Sequence, residues 1–383
     1  MPLRICHLIS GDLWAGAEVM SFHLLSGLSK LPGIDLFAIL LNNGTLADEL
    51  GRAGVPTCVL DEGKRSFPEI AWMAAKAARK WAPHVLHSHR YKENVLSYLL
   101  SFTLRENASL VSTQHGMPEL YDGKLGMFKR QKLHANYRLL ATRFDKTVAV
   151  SSDIRESLAR RYGFQEKHLE TIRNGVIVPE MRDRSREKDG FVIGSAGRFF
   201  PVKDYPFMVE VAKEVSAETA KIRFELAGEG PTLSDVQGLI NKYGLDERFM
   251  LRGFIQDVSI FYRGLDVYLN TSLHEGIPMS VLEAMAHGVP PVVPRVGGLE
   301  EIVTDGVDGY LVEGRNPKDF SERCLSLYKN ETLRRNMGRA ARDKIVGQFS
   351  IERMVNAYLD MYTRMIETSE RSKRERRLSR KSH

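Results

Sequence analysis

The sequence predicts an α/β protein built from two Rossmann-like βαβ domains, and three observations support this prediction. Short apolar runs rich in β-branched residues alternate with amphipathic stretches along the chain, which is typical of parallel βαβ units. The 383 residues exceed one ordinary core and suit two domains of roughly 150–190 residues each. The charged stretch 179–190 has no apolar periodicity. We therefore predict a first domain at 1–178, a linker at 179–190 and a second domain at 191–348.

Seven strands are predicted in the first domain. Between the third and fourth, apolar residues at helical spacing predict a helix over 70–81 that ends before Pro83. The segment Ser151–Asp153 is predicted to cap a helix over 154–162. The strands are Arg4–Ile9, Leu36–Leu41, Pro56–Leu60, Val85–His89, Leu110–His115, Lys146–Ser151 and Leu169–Arg173.

Six strands are predicted in the second domain, followed by one long helix. Ser350 suits the N-cap of an amphipathic helix within 349–367. The tail 368–383 holds seven Lys or Arg and two Glu with almost no apolar residue, so we expect it to be disordered. The strands are Phe191–Gly197, Arg223–Ala227, Phe249–Phe254, Asp266–Ser272, Val289–Pro294 and Gly309–Glu313.

Composition narrows the class of protein. The three cysteines show no metal-ligand spacing, which favours a reducing cytoplasm. The chain shows no signal segment and no apolar stretch near the ~18–20 residues that span a bilayer. We expect a cytoplasmic protein, either free or peripheral at the cytoplasmic face of the inner membrane. The net charge of +7 alone is compatible with nucleic acid, but no recognised binding module supports such a partner.

The most informative segment follows the predicted strand Asp266–Ser272 and leads into a helix. It places Glu275 in a loop bent by Gly and Pro, and Glu283 eight positions later inside the helix. The carboxyl end of a strand is where an open α/β sheet keeps its ligand sites. Pro278 suits the first turn of the helix, whose free N–H groups would attract phosphate. The segment thus offers two carboxylates that can bind hydroxyl groups and, between them, a site for phosphate. A nucleotide-sugar needs both kinds of contact.

This segment resembles the donor-binding signature of the retaining glycosyltransferases of family 4, the glycosyl transferases group 1, and the resemblance extends from about Ile5 to about Ile366. It implies the GT-B fold, in which two domains face one another across a cleft and the last helix crosses back to the first domain. It also implies transfer of a sugar from a nucleotide donor to an acceptor hydroxyl with retention of configuration.

Two cations follow the first strand of the second domain. Arg198 and Lys203 lie five positions apart after small residues, and they resemble the family's G-R-x4-K element, which binds the donor phosphates. Gly228–Pro231 resembles the glycine turn beside those phosphates. The resemblance implies a donor site made of Gly16, Arg198, Lys203, Phe254, Ile255, Glu275, Gly276, Ile277, Pro278, Met279, Ser280, Val281 and Glu283.

The first domain is expected to carry the acceptor side. Gly16 and Glu18 lie in a segment that resembles the family's G-G-x-E loop, and His115 resembles the histidine that family members direct at the donor sugar. We expect Glu18, His89 and Asn174 on the acceptor side. His87 and His89 form an H-x-H pattern that metal sites also use, but we favour packing because no third ligand stands at a recognisable spacing.

We therefore expect His115, Glu275, Arg198 and Lys203 to carry catalysis. By resemblance, the leaving phosphate accepts the proton of the acceptor in a front-face substitution, and the fixed cations replace a metal ion. No cofactor is expected, and a UDP-sugar is the favoured donor. A sugar-nucleotide epimerase, a phosphorylase and a non-catalytic glycan-binding protein remain as alternatives; a nicotinamide enzyme is disfavoured because no G-x-G-x-x-G follows the first strand.

The segment Gly123–Thr142 combines several Lys and Arg residues with apolar ones and contains no acid. A basic amphipathic helix can lie on an anionic membrane surface, receive a lipid diphosphate or an anionic saccharide, or be a domain helix with a solvated face. The basic tail has the same membrane and solvent alternatives. The expected partners are a nucleotide-sugar donor and a glycan or glycolipid acceptor, without nucleic acid; an anionic membrane surface is one of the alternatives for the basic segment and the tail. The sugar, the acceptor, the linkage and the oligomeric state are not determined by the sequence.

Overall fold

The chain folds into two compact units. A computed structural model describes residues 2–11, 14–104, 108–117, 126–180 and 190–379, with side chains up to Arg371 in the last helix. The first unit contains the chain up to Asn174 and again from Ile351, and the second unit is Gly175–Ser350. The division therefore falls at Asn174 and Ser350, close to the predicted boundaries at 178 and 348. Residues 181–189 of the predicted linker lie outside the described residues.

The first unit has a seven-stranded sheet in the order β3-β2-β1-β4-β5-β6-β7, and every described pairing is parallel. All seven predicted strands are confirmed, with ends that shift by at most two residues. The strands are β1 Leu3–Ile9, β2 Ile34–Leu40, β3 Thr57–Val59, β4 Val85–Ser88, β5 Ser109–Gln114, β6 Lys146–Ala149 and β7 Leu169–Thr171. The helices between them are α1 Gly16–Leu28, α2 Thr45–Arg52, α3 Phe67–Trp81, α4 Tyr91–Ser101, α5 Met127–Arg143 and α6 Ser152–Tyr162.

Local sequence explains the ends of these helices. Ser66 and Glu69 form a capping box at the start of α3, which contains the predicted helix over 70–81. Ser151 accepts a hydrogen bond from the Ile154 amide at 3.2 Å, which confirms the predicted cap of α6. That helix ends at Gly163 in the left-handed conformation, where glycine costs least.

The second unit has a six-stranded parallel sheet in the order β10-β9-β8-β11-β12-β13, and its six predicted strands are also confirmed. Its core packs helix side chains such as Phe207 and Phe320 against sheet residues such as Phe224. The strands are β8 Phe191–Ala196, β9 Ile222–Ala227, β10 Phe249–Gly253, β11 Val267–Leu269, β12 Pro291–Pro294 and β13 Tyr310–Val312. The helices are α7 Tyr205–Glu218, α8 Leu233–Lys242, α9 Val258–Gly264, α10 Met279–Ala286, α11 Leu299–Ile302, α12 Pro317–Lys329 and α13 Glu331–Gln348.

Each sheet has one point at which the strand order reverses. In the first unit it lies between β1 and β4, and in the second between β8 and β11. The connections on the two sides of such a point leave in opposite directions, which opens a crevice at the carboxyl ends of the strands. The residues that follow these four strands are therefore placed to meet ligands.

The final helix, α14 Ile351–Ser379, belongs to the first unit, as predicted for a helix that crosses back. It packs closely on α1, because a Cβ atom at Gly27 would lie 2.4 Å from Val355 Cγ2. Contrary to the predicted disordered tail, residues 368–379 continue this helix, since Glu, Arg, Lys and Leu are good helix formers. Residues 380–383 lie outside the described part. Among the described helices, none has the length and apolar character needed to cross a membrane.

Candidate active site

In the second unit, Glu275 and Lys203 meet at the carboxyl ends of β11 and β8. Lys203 Nζ lies 2.5 Å from Glu275 Oε1, and their side chains are only 22% and 11% exposed. The same oxygen accepts hydrogen bonds from Ser272 Oγ at 2.6 Å and from Asn270 Nδ2 at 3.5 Å. The structure thus joins two predicted catalytic residues in one polar cluster and adds Asn270 and Ser272, which sequence reasoning missed.

The loops that carry this pair are tied to each other. Thr271 Oγ1 donates to the Lys203 carbonyl at 3.0 Å, and the Leu273 amide donates to the Val202 carbonyl at 2.8 Å. Arg315 bridges the two loops, since it donates to the Thr271 carbonyl at 2.9 Å and pairs with Asp204. Arg315 lies far along the chain from both loops, so no local pattern could identify it.

Arg198, the second predicted cation, is exposed. Its guanidinium lies over the Phe200 ring at 4.7 Å, and it has no acidic partner among the residues that the structure describes. Its charge is therefore available to an anionic ligand, whereas Lys203 already shares its charge with Glu275.

Close backbone contacts shape the loops around the pair. A Cβ atom at Gly228 would lie 1.9 Å from the Gly197 carbonyl oxygen, which supports the predicted close glycine turn. A Cβ atom at Gly298 would lie 1.7 Å from the Gly276 carbonyl oxygen, and the Gly298 amide donates to the Glu275 carbonyl at 3.0 Å. Sequence reasoning missed Gly298, although two adjacent glycines before a helix are a recognisable signal.

Helix α10 begins at Met279, and Pro278 occupies the N-cap position. The prediction that Pro278 lies in the first turn is therefore wrong by one residue, because its carbonyl already accepts the first helical bond from Leu282. Pro278 makes no side-chain cap bond to this end, and the amides of residues 279–281 have no acceptor within the helix. Such a helix start is suited to an anion. Ile277 and the neighbouring Gly276 are buried beneath it.

Glu283 lies one turn inside α10 and is partly buried. The Tyr262 hydroxyl donates a hydrogen bond to Glu283 Oε2 at 2.8 Å. Sequence reasoning missed this partner. Burial raises the pKa of Glu283 to about 7, because the low-polarity surroundings disfavour the carboxylate. This group therefore changes charge near neutral pH.

Phe254 and Ile255 follow β10, the edge strand of the sheet. Phe254 is 56% exposed, so its ring is free to pack against a ligand. These two residues are separated from β8 by the single strand β9.

The first unit contains four histidines at its own reversal point. His7 Nδ1 lies 3.1 Å from His89 Nε2, and His89 Nδ1 lies 3.2 Å from His115 Nε2. His87 stacks on His89, with ring centroids 4.5 Å apart. Burial lowers the pKa of His7 and of His115 to about 3, and lowers the pKa of His87 and of His89 well below the usual range. All four rings are therefore neutral at pH 7.

Contrary to the expectation from sequence spacing, the H-x-H pattern has a third potential metal ligand beside it. His7 supplies a third imidazole, and one nitrogen from each of His7, His87 and His89 lies within 4.8 Å of the others. Sequence spacing concealed this cluster, because His7 comes from β1 and pairs in register with His87 on β4.

The other predicted site residues of the first unit follow β1 and the edge strand β7. Glu18, in the first turn of α1, is buried and pairs with Arg90. Gly16 begins that helix and is exposed, and Asn174 is buried at the end of the first unit. Sequence reasoning missed Glu93, which is fully buried, accepts a hydrogen bond from Ser10 and has its pKa raised by burial.

Comparison with known proteins identifies the family. The profile described as "Glycosyltransferase Family 4" matches residues 14–178, and the one described as "Glycosyl transferases group 1" matches residues 178–344. The N-acetyl-alpha-D-glucosaminyl L-malate synthase of Bacillus anthracis is 27% identical over 304 residues, which cover 76% of this chain and 78% of that protein. The UDP-Gal:alpha-D-GlcNAc-diphosphoundecaprenol alpha-1,3-galactosyltransferase of Escherichia coli is 23% identical, with 95% and 97% covered.

A solved structure shares the fold. The crystal structure of Anabaena HepE in complex with UDP and glucose has a TM-score of 0.82 at 17% identity, and the match covers 94% of this chain and 99% of that one. The two family profiles meet at residue 178 and together span most of the sequence. The chain therefore belongs to glycosyltransferase family 4, has the GT-B fold and is a glycosyltransferase that uses a nucleotide-sugar donor.

Proposed function

We propose that this enzyme transfers a sugar from a UDP-sugar to a hydroxyl group of a glycan or lipid-linked acceptor, with retention of the anomeric configuration and without a metal ion. The observation that carries the proposal is the pair Lys203–Glu275 at the reversal point of the second unit. UDP is favoured because one similar protein is named for UDP-Gal and a protein of the same fold holds UDP and glucose.

In the proposed donor site, positively charged groups and backbone amides bind the diphosphate, and carboxylates bind hydroxyl groups. Arg198, Lys203 and the amides at the start of α10 would bind the diphosphate, since all three offer positive charge or N–H donors. All three described hydrogen bonds to the Glu275 carboxylate fall on Oε1, which leaves Oε2 for sugar hydroxyls. Glu283 would accept the two ribose hydroxyls, with Phe254 and Ile255 beside the base.

The chemical step needs stabilisation of a growing negative charge. As the bond between the sugar and the diphosphate breaks, charge accumulates on the leaving phosphate, where Arg198 and Lys203 would lower its energy. That phosphate oxygen would accept the proton of the acceptor hydroxyl as the new glycosidic bond forms. His115, neutral at pH 7, would offer a hydrogen bond to the donor sugar. These fixed charges would perform the role that a metal ion performs elsewhere.

The acceptor is proposed to bind the first unit, beside Glu18, His89 and Asn174. Glu18 is paired with Arg90, so its carboxylate is held in one position before a sugar hydroxyl arrives. The similar protein from Escherichia coli is named for a diphosphoundecaprenol-linked acceptor, which supports a lipid-linked glycan.

We expect UDP-sugar binding to weaken about tenfold between pH 8 and pH 6. A carboxylate must be ionised to accept two hydroxyls, and a pKa of about 7 leaves Glu283 roughly ten-elevenths ionised at pH 8 and one-eleventh at pH 6. Glu283→Gln should bind more weakly at pH 8 and show little change with pH. Isothermal titration calorimetry with a UDP-sugar measures this, because its esterified phosphates do not titrate in that range.

A thermal-shift panel of UDP-, GDP- and ADP-sugars selects the ligand for that titration. A donor at 100 times its dissociation constant should stabilise the protein by about 2.7 kcal/mol. Product analysis with added acceptor, with added phosphate and with neither separates a transferase from a phosphorylase or an epimerase, and excess EDTA should leave transfer unchanged. Absence of stabilisation by every nucleotide-sugar would contradict the proposal.

Helix α5 is proposed to attach the first unit to an anionic membrane surface. Met127 and Phe128 in its first turn are 77% and 75% exposed, and the cations Lys129, Arg130 and Lys132 are exposed beside them. Apolar side chains enter the lipid interface, and each cation contributes about 1 kcal/mol near anionic lipid. Residues 123–125 of the predicted basic segment lie outside the described residues.

Charge reversal tests this attachment. Changing Lys129, Arg130 and Lys132 to Glu should remove co-sedimentation with vesicles that contain anionic lipid, and added salt should weaken binding of the unchanged protein. A matched control changes Lys221, Lys242 and Lys329, all exposed in the second unit, to Glu. Equal binding of the unchanged protein to neutral vesicles, or an equal loss in the control, would contradict the proposal.

A further inference from the structure

Three histidines form a continuous hydrogen-bonded chain across the first sheet. His7, His89 and His115 come from β1, the end of β4 and the end of β5, which are neighbouring strands. The contacts join His7 Nδ1 to His89 Nε2 at 3.1 Å and His89 Nδ1 to His115 Nε2 at 3.2 Å. Each neutral imidazole carries one N–H and one lone pair. The chain can therefore be satisfied in only two ways, with every proton on Nδ1 or every proton on Nε2.

The two arrangements differ at the buried end. His7 is fully buried, and its Nε2 atom has no hydrogen-bond partner in the described structure. If every proton is on Nδ1, this atom is a lone pair; if every proton is on Nε2, it is a buried N–H without an acceptor. Buried N–H groups without partners are rarer than unsatisfied acceptors. The buried end therefore favours protons on Nδ1.

The hydroxyl group of Ser21 independently favours the arrangement with the protons on Nδ1. Its hydroxyl donates to the Ala17 carbonyl at 2.8 Å, so only lone pairs of Oγ face His89 Nδ1 at 3.4 Å. A lone pair is a favourable neighbour for an N–H and an unfavourable one for another lone pair. His89 Nδ1 therefore carries the proton, which it shares between Ser21 and His115.

His87 stacks against the chain without joining it. Its Nδ1 lies 2.5 Å from the Tyr362 hydroxyl, and its Nε2 lies 2.9 Å from Thr113 Oγ1. Thr113 in turn contacts the Tyr358 hydroxyl at 2.9 Å. Because both nitrogens of His87 already have hydroxyl partners from β5 and α14, the three-histidine chain has no branch at this ring.

We propose that His7 and His89 are positioning residues that hold His115 as its Nδ1–H tautomer. His115 is partly exposed, and its Nδ1 has no partner among the described residues, so the chain presents a fixed N–H donor at the open end. Neutral imidazole in water prefers the proton on Nε2, so this state has to be imposed. The tautomer assignment stands alone; its use as a hydrogen-bond donor to the sugar rests on the proposed function.

The tautomer can be measured directly in the free enzyme. Protein labelled with ¹⁵N at histidine distinguishes protonated from bare ring nitrogens by chemical shift, and single histidine substitutions assign the signals. We expect His7, His89 and His115 to show protonated Nδ1 and bare Nε2 at pH 7.5. A protonated Nε2 on His89 or His115 would overturn the proposal. So would metal in a stoichiometric amount in the purified protein, because an ion at His7, His87 and His89 replaces the protons.

Substitutions at His7 connect the tautomer to catalysis. His7→Asn keeps an N–H near the Nδ1 position, whereas His7→Phe removes it and leaves His89 Nε2 without its donor. We expect His7→Phe to populate the second tautomer of His115 and to lower kcat about tenfold or more, with KM for the donor changed less than kcat, and His7→Asn to restore both. Circular dichroism confirms that the variants fold.

The outcomes separate this proposal from the proposed function. A wild-type Nδ1–H signal that persists unchanged in His7→Phe would overturn the positioning role of His7. A tautomer that changes as expected while kcat stays constant would overturn the link to catalysis, even if UDP-sugar binding and transfer are confirmed. Failure of UDP-sugar binding would contradict the proposed function and leave the tautomer assignment intact.

Discussion

Replacing Lys203 or Arg198 with alanine is expected to lower kcat for sugar transfer by about 10²–10³-fold, because each change removes a fixed positive charge from the leaving diphosphate. The two variants should differ in stability. Arg198 is exposed and stacks on the Phe200 ring, so Arg198→Ala should leave stability nearly unchanged. Lys203→Ala leaves Glu275, 11% exposed, without its cation and should cost about 1–3 kcal/mol.

A double variant separates charge from folding. Lys203→Ala combined with Glu275→Gln removes the unpaired carboxylate, so the melting temperature should recover while activity stays low. Lys242→Ala, an exposed basic change on α8, serves as the control and should retain full activity. Steady-state kinetics and thermal melts measure both quantities. If Arg198→Ala and Lys203→Ala keep kcat within about threefold of the unchanged enzyme, the assignment of the phosphate site is wrong.

Acid is expected to unfold the first unit cooperatively below about pH 6. Burial keeps His7, His87, His89 and His115 neutral in the folded state, with pKa values lowered from 6.5. The unfolded chain binds protons at these sites once the pH falls below about 6.5, so stability is fully present above that pH and is lost towards pH 3. Each such group changes the free energy of unfolding by up to about 1.4 kcal/mol per pH unit.

Glu93 opposes the loss of stability in acid. Burial raises the pKa of Glu93, so at that site the folded state binds more protons than the unfolded state, by one at most. Four histidines against at most one glutamate leave a difference of about three protons or more, which is at least about 4 kcal/mol per pH unit between roughly pH 6 and 4.5. Because a domain is stabilised by only about 5–15 kcal/mol, a fall of two pH units should suffice to unfold the unit.

Tryptophan fluorescence reports on this unit selectively, because Trp14, Trp72 and Trp81 all lie within it. Urea unfolding at several pH values gives the change in the free energy of unfolding per pH unit. His7→Phe should reduce the slope by about one proton, whereas His134→Ala, which removes an exposed histidine on α5, should not change it. A slope near zero between pH 6 and 4.5 would show that the four histidines are not held neutral.

The position of the donor site followed from local pattern. All thirteen strands were recognisable from short apolar runs, because a strand buried on both faces must be apolar whatever its neighbours are. Arg198, Glu275 and the start of α10 follow such strands directly, and parallel strands gather their carboxyl ends at one edge. The prediction of a disordered tail was wrong for the residues that continue α14. A lack of apolar residues shows that a segment cannot form a core, but such a segment can still extend a helix whose earlier turns pack on a core.

The contacts between residues within each site could not be predicted from local pattern, because they join segments that are far apart in the sequence. Lys203 and Glu275 are 72 positions apart, His7 and His89 are 82, and no periodicity relates them. The raised pKa of Glu283 requires a buried surrounding, whose effect the hydrogen bond from Tyr262 only partly offsets, and the need for glycine at 298 arises from the Gly276 carbonyl. The sequence alone thus determined the two βαβ series, the family and the strand ends that carry the chemistry. Only the tertiary structure decided the charge pairing, the protonation states and the histidine chain, because these depend on distances between atoms that the order of residues does not contain.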